Sequence, residues 1–268
     1  MSTETMPTVA ATPKSKRNVV RVYWLEAKTE FLKLWRLPAY SVSVLAFPLM
    51  FYTIFGLTFN QGSGPVNSAT YLLATYGAFG IIGAALFGFG VGVAVERGQG
   101  WMRLKRVSPM PPLAYFVAKI VMALLFSALV ALSLFALGFL FGDVSLPLGT
   151  WLALFGTLLA GAFPFCAMGL AFGYLLGPNS APTAINILYL PLAFASGLWI
   201  PIFALPEFVQ AIAPFLPPYH YAQLALGRLG ASQGGSPWVH VLVLLGFTAV
   251  FLMIAVWAYK RDEGRTYG

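Results

Sequence analysis

Polar positions in this chain fall into a few tight clusters, and the intervals between them are almost wholly apolar. Residues 37–95 hold no Asp, Glu, Lys or Arg over 59 positions; 120–142 hold none over 23, 144–206 none over 63, 208–227 none over 20, and 229–259 none over 31. A helix crossing a bilayer needs about 20 apolar residues, so the two longest intervals accommodate two spans each. Turn chemistry divides them: Asn60-Gln61-Gly62-Ser63-Gly64-Pro65 breaks the first and Gly177-Pro178-Asn179-Ser180 the second. The pattern predicts an all-α membrane protein with six transmembrane helices, near 39–59, 70–95, 112–141, 149–176, 182–200 and 237–259. Residues 201–218 carry five prolines, which exclude a straight spanning helix and predict short outer re-entrant half-helices between spans 5 and 6.

Ahead of the first span, Val20, Trp24, Ala27, Phe31 and Leu34/Trp35 recur at helical spacing, with Arg21, Lys28 and Lys33 on other faces. This predicts an N-terminal amphipathic interfacial helix with its aromatic residues at headgroup level. Residues 1–17 are polar and read as a disordered cytoplasmic tail, leaving 18–268 as a single transmembrane domain. The first apolar run starts near residue 38 and is long enough to stay as an anchor, so no cleavable leader is expected.

Composition agrees with lipid as the main solvent. Hydrophobic residues make up 59% of the 268 and charged residues 9%, against about 25% charged in an average soluble domain. The net charge of +8 does not point to nucleic acid, because the N-terminal segment, the 96–111 loop and the C-terminal tail carry 14 of the 16 basic residues. An even number of spans puts all three on one side, and the positive-inside rule makes that side the cytoplasm. The expected location is the inner (plasma) membrane, multi-pass, with both termini cytoplasmic.

Catalytic chemistry is not expected. There is no Gly-Lys pair and hence no phosphate-binding P-loop. The glycines at 88, 90 and 92 lie inside a span, and neither H-E-x-x-H nor G-x-S-x-G occurs. Ion-coupled carriers need carboxylates at mid-span, whereas Asp143, Glu207, His220, Arg228 and His240 all map near the outer boundary. Cys166 reads as a buried inert thiol, and one Cys with two His does not make a zinc site. No metal, no cofactor and no enzymatic activity of this chain's own are expected.

Two features stand out. Gly80, Ala84, Gly88 and Gly92 recur every fourth residue, a stripe that lets another helix approach closely, and the same row leads to Glu96. The segment 96–109 then reads as a short amphipathic helix, with Trp101, Leu104 and Val107 (or Ser108) on one face and Arg103 and Arg106 on another, stopped by Pro109; it is either a membrane-surface helix with solvated charges or a docking helix for a cytosolic partner.

Glu96-Arg97, Gly100, Arg103-Leu104, Arg106-Val107-Ser108-Pro109 and Lys119 resemble the loop between spans 2 and 3 of ABC-2 type exporter permeases. Leu216-Pro217-Pro218-Tyr219-His220-Tyr221-Ala222, with Arg228 and Gly230, is similar to the segment leading into that family's last span. The resemblance implies half of a transmembrane pathway, facing a second permease copy or homologue. Two cytosolic ABC ATPase subunits would dock below and bind the ATP and Mg. It implies a coupling set of Glu96, Arg97, Gly100, Trp101, Met102, Arg103, Lys105 and Arg106. In that set Trp101 and Met102 are apolar anchors, Arg103, Lys105 and Arg106 meet an acidic cleft, and Glu96 ties the loop to a basic neighbour. Spans 1, 2 and 5 usually face the centre in the family, which makes Tyr52, Phe55, Phe59, Phe79, Asn186, Tyr189 and Ser196 the candidates for the substrate pathway. An aromatic, neutral lining suits a hydrophobic or amphiphilic drug or lipid, as in multidrug efflux. Sugar stacking keeps export of a polysaccharide or lipid-linked glycan as the alternative. A six-span channel or scaffold without an ATPase is the alternative of another class.

Overall fold

The computed structural model describes residues 19–58, 66–107 and 110–262, without the side chains of residues 103, 105, 106, 112 and 262. Among the described residues every regular element is helical and none is a strand. Helix α1 (Val19–Trp35) is followed after two residues by α2 (Pro38–Phe51), which continues as a π-helical turn, Tyr52–Thr58. Helix α3 (Ser68–Ala85) runs through a second π-helical stretch, Leu86–Val91, into α4 (Gly92–Gly98), and a tight turn leads to α5 (Trp101–Val107). Then come α6 (Pro112–Phe141), α7 (Leu148–Ala160), α8 (Ala162–Leu175) and α9 (Ala181–Ala195). The short α10 (Glu207–Ile212) and α11 (Pro217–Gly227) precede the last long helix, α12 (Pro237–Asp262).

Five stretches are long and apolar enough to cross a membrane: Pro38–Thr58, Ser68–Gly98, Leu113–Phe141, Leu148–Leu175 and Pro237–Arg261. Where the sequence predicts a fifth span at 182–200, the structure has a shorter apolar helix of 15 residues, α9. Its stop has a specific cause. Gly197 takes φ +74, its N–H bonds to Phe194 O at 3.1 Å, and the Leu198 N–H reaches back to Ala193 O at 3.1 Å. This is a left-handed glycine closing a helix C-terminus with paired backbone bonds, and it turns the chain before residue 200. The proline-rich stretch forms a 3-10 turn (Ile202–Ala204), α10, a second 3-10 turn (Ala213–Phe215) and α11. Pro217 opens α11, where its missing N–H costs nothing.

Helix α3 is the centre of the molecule. Its spanning window is 78% buried against 17% for the α12 window, so α3 is surrounded by protein while α12 presents most of its surface outward. Small residues permit this. A Cβ on Gly80 would lie 2.7 Å from Val130 Cγ1 and 2.8 Å from Pro48 Cγ, and one on Gly88 2.9 Å from Tyr40 Oη. Ala84 offers its carbonyl to the Tyr40 hydroxyl at 3.0 Å. The four-residue row therefore faces α2 and α6. A second row, which the sequence reading did not single out, faces the other way: Gly173 of α8 has room for no Cβ, with Val93 Cβ 2.7 Å and Gly90 O 3.1 Å from that position. Side chains of α2 and α6 fill the first row, and on the α8 side backbone meets backbone.

Candidate functional site

The α3–α4 rod ends in two adjacent charged residues, Glu96 and Arg97, only 8% and 7% exposed. Successive residues on a helix point about 100° apart, so the pair reaches two different neighbours. Glu96 turns to α1 and α6. Its Oε1 accepts from Lys119 Nζ at 2.8 Å and, in closer contact, from Lys33 Nζ; its Oε2 accepts from the Tyr115 hydroxyl at 2.7 Å. Glu30 completes the ring, 2.9 Å from Lys119 Nζ and 2.9 Å from Lys33 Nζ. The spacing of each helix makes this possible: Tyr115 and Lys119 are one turn apart on α6, and Glu30 and Lys33 one turn apart on α1. Lys119 is fully buried. A lone buried ammonium costs several kcal/mol; here two carboxylates balance two ammonium groups. Burial and the nearby Glu96 push the Glu30 carboxyl up, but Lys119 and Lys33 outweigh them and hold it below its ordinary value. Burial pulls the Lys33 ammonium down, and Glu96 and Glu30 more than reverse that, so it lies above its ordinary value.

Arg97 turns to α8. Its Nη1 donates to Gly173 O at 3.0 Å and to Tyr174 O, its Nη2 donates to Leu176 O at 3.0 Å, and its guanidinium sits 6.0 Å over the Tyr174 ring. These are carbonyls that a helix end leaves without intrahelical partners, at the negative pole of the helix dipole. The root of the loop is thus fastened to α1, α6 and α8 at once.

Beyond the root, Gly100 takes φ +77 with nothing near its missing side chain, a turn that other residues enter only with strain. It directs α5 across the end of the bundle. Trp101, Leu104 and Val107 are 51%, 61% and 83% exposed and share one helical face, while Met102 packs on the core. The Trp101 indole donates to Gln99 Oε1 at 3.1 Å.

The structure thus divides the predicted coupling set. Trp101 lies on the outer surface. Glu96 and Arg97 lie inside the chain, with their charges turned to neighbouring helices and away from any docking face. Arg103, Lys105 and Arg106 sit on α5, but their side chains fall outside the described residues, as do Ser108 and Pro109. Lys33 and Tyr115, missing from that set, bond to Glu96 as Lys119 does, and Glu30, also missing, joins it through Lys33 and Lys119.

The predicted pathway residues also divide. Tyr52, Phe79, Tyr189 and Ser196 are buried within the chain, and Phe55 is exposed. Asn186 is exposed too, with its side-chain amide on Pro182 O at 3.2 Å. Phe59 lies outside the described residues. Buried Phe79 and Tyr189 with half-buried Phe51 and Trp199 form a wall across α2, α3, α9 and the turn after it: Phe79 stacks on Tyr189 at 5.0 Å between ring centres, and Trp199 meets Phe51 at 5.5 Å and Phe79 at 5.6 Å. Among the described residues no group of three His, Cys, Asp or Glu side chains is placed to hold a metal ion.

Two comparisons fit this architecture. Residues 46–257 match the model of a family described as ABC-2 family transporter protein. Over 222 residues, 82% of this chain and 89% of the relative, the sequence is 28% identical to the "Putative transport permease YvfS" of Bacillus subtilis (strain 168). Several helices apolar enough to span a bilayer and a family match over most of the length lead to one assignment: the chain is a multi-pass membrane protein and belongs to the ABC-2 family of transporter proteins.

Proposed function

We propose that the chain is the permease subunit of an ATP-driven exporter, with ATP and Mg bound by two separate cytosolic ABC ATPase subunits and the pathway completed by a second permease copy or homologue. The observation that carries this reading is the mounting of α5. An exposed apolar stripe lies on a short helix whose root is ion-paired to α1 and α6 and bonded to α8. A push on α5 is passed to these elements through buried contacts, as a two-state rearrangement driven by a ligand bound elsewhere requires. In this reading α9 and the turns after it complete a sixth crossing. The clustered Lys and Arg put both termini and α5 in the cytoplasm. The neutral aromatic wall of α2, α3 and α9, with Phe55 and Asn186 exposed beside it, supports a hydrophobic or amphiphilic substrate.

The test is co-expression with ABC ATPase subunits from the same genome, purification in lipid nanodiscs, and assays of ATP hydrolysis and of export from inverted vesicles. A stable complex whose ATPase rate responds to the permease is expected, with Leu104→Arg releasing the ATPase while the permease itself melts unchanged. A permease that retains no ATPase under any of these conditions is not an exporter subunit.

A further inference from the structure

At the end of the bundle opposite α5, the two histidines of the chain meet. His220 on α11 and His240 on the first turn of α12 are each 4% exposed, and their Nδ1 atoms are 2.8 Å apart. The other ring nitrogens face carbonyl oxygens: His220 Nε2 is 2.8 Å from Pro214 O, and His240 Nε2 is 3.2 Å from Gly234 O. A carbonyl only accepts, so both Nε2 atoms must carry hydrogen. A neutral imidazole has one N–H, and two neutral rings therefore point two Nδ1 lone pairs at each other. Moving one hydrogen to Nδ1 only transfers the lone-pair clash to a carbonyl. Three contacts need three hydrogens, one more than two neutral rings possess.

We propose that His220 and His240 form a proton-binding site, one extra proton being shared between their Nδ1 atoms and fastening α11 to the start of α12. The pair binds that proton as a unit. Burial opposes a charge on His220, the Pro214 carbonyl favours one and His240 opposes one, the balance lying below the ordinary value; the shared proton is held against this by the three contacts that need three hydrogens. The surrounding titratable groups supply no counter-charge. Tyr219, with its ring 5.4 Å from His220 and 6.2 Å from His240, is a phenol kept neutral by burial. On α3, Tyr71 lies near Tyr219, and Tyr76 donates to Trp199 O. Tyr221 donates to Leu158 O, and Arg228 is bonded to Thr157 Oγ1. The 3-10 turn before α11 and helix α7 carry no titratable side chain.

The shared proton gives stability a particular pH profile. Below about pH 6.5 two unfolded imidazoles take up two protons against the pair's one, so stability falls as pH falls. If the shared contact holds its proton beyond the pH at which the unfolded rings lose theirs, stability also falls as pH rises through its release.

Because both histidines of the chain are in the pair, nitrogen-15 NMR of histidine-labelled full-length protein, in nanodiscs and without a histidine tag, reads the site directly. The expected spectrum has both Nε2 atoms protonated and the two Nδ1 atoms coupled through one shared hydrogen. Two fully bare Nδ1 atoms from about pH 5 to 8, or an Nε2 without hydrogen, would overturn the proposal. His240→Gln offers His220 Nδ1 a neutral donor. The melting-temperature difference between wild type and this variant should be level in acid, where each folded state holds one proton fewer than its unfolded state, and shrink as pH rises above about 6.5; a difference that climbs to an alkaline plateau contradicts the shared proton. If the variant does not fold, the spectrum of the wild type decides.

Discussion

At the α5 end, Glu30, Lys33, Glu96 and Lys119 join α1, α4 and α6 with full charges. At the opposite end, Tyr221 donates to Leu158 O at 2.6 Å, Gln223 Oε1 accepts from Ser232 Oγ and Gln233 N, and two imidazoles meet. The difference lies in what each end can respond to. Glu30, held below its ordinary value, and Lys33, held above its own, keep their charges across the neutral range, so the first end is a fixed mount. Imidazoles change charge near neutrality, so the second end is the one that solution pH reaches. Stability at the first end depends on each charge keeping its partner. At the second it depends on shape and on satisfied carbonyls.

The largest expected effect comes from breaking the ring of charges. Lys119→Met keeps the length of the side chain but leaves two buried carboxylates, Glu30 and Glu96, with Lys33 as their one remaining ammonium partner in the ring. A loss of about 3–5 kcal/mol is expected, measured by denaturant or thermal unfolding in detergent. Adding Glu96→Gln to the same chain should restore part of it, because the excess negative charge is then removed and Lys33 again balances Glu30. A loss under about 1 kcal/mol in Lys119→Met would mean that water reaches the ring and that the mount is not rigid.

Shape is the weak point of the opposite end. Gly161, between α7 and α8, has ordinary helical φ, but a Cβ there would lie 1.9 Å from Tyr221 Cε2. Gly161→Ala is expected to cost about 1–3 kcal/mol by overpacking, and much less in a Tyr221→Ala background. Equal costs in both backgrounds would place the strain elsewhere.

A pH series sharpens the contrast. Glu30 has its folded value held below 4.5, so its contribution is complete above that pH and is lost as pH falls through the lowered value. Lys33, raised above 10.5, contributes fully below that pH and loses its share as pH rises through the raised value. The melting-temperature gap between wild type and Glu30→Gln should therefore stay level from about pH 5 to 9 and close only in acid. A gap that varies near pH 7 would contradict the fixed mount.

Helix positions were legible because apolar runs and turn residues are local signals. The predicted 112–141 is α6, and 237–259 lies within α12. The end of α9 was not legible, since nothing in the sequence distinguishes the left-handed Gly197 from the other glycines. The carboxylate that α1 turns inward was not legible. Val20 and Trp24, read as part of the apolar stripe, are 77% and 68% exposed, while Glu30 is buried with Ala27 and Leu34. A carboxylate turns inward only because Lys119, far along the chain, neutralises it, and no local periodicity carries that information. Lys119, a charge just inside an apolar run with Tyr115 one turn earlier, was the one available hint. The aromatic candidates failed to separate for a similar reason: Phe55 and Phe79 look alike in sequence, yet one is exposed and the other stacks on Tyr189.

The smallest effect on stability is expected where the functional effect should be greatest. Leu104 is 61% exposed on the outer face of α5, so Leu104→Ser removes little buried area and should shift stability by no more than about 0.5 kcal/mol. If α5 transmits force from an ATPase, the same change removes an anchor at the centre of that contact, and substrate-dependent ATP hydrolysis should fall several-fold with an unaltered melting curve. Val107→Ser, on the same face and 83% exposed, should behave alike. Lys119→Met, by contrast, should lower melting temperature and transport together. A permease in which Leu104→Ser and Val107→Ser leave coupled ATP hydrolysis intact uses this helix for the lipid surface alone, and the contrast between a fixed mount and a titrating end then describes stability but not transport.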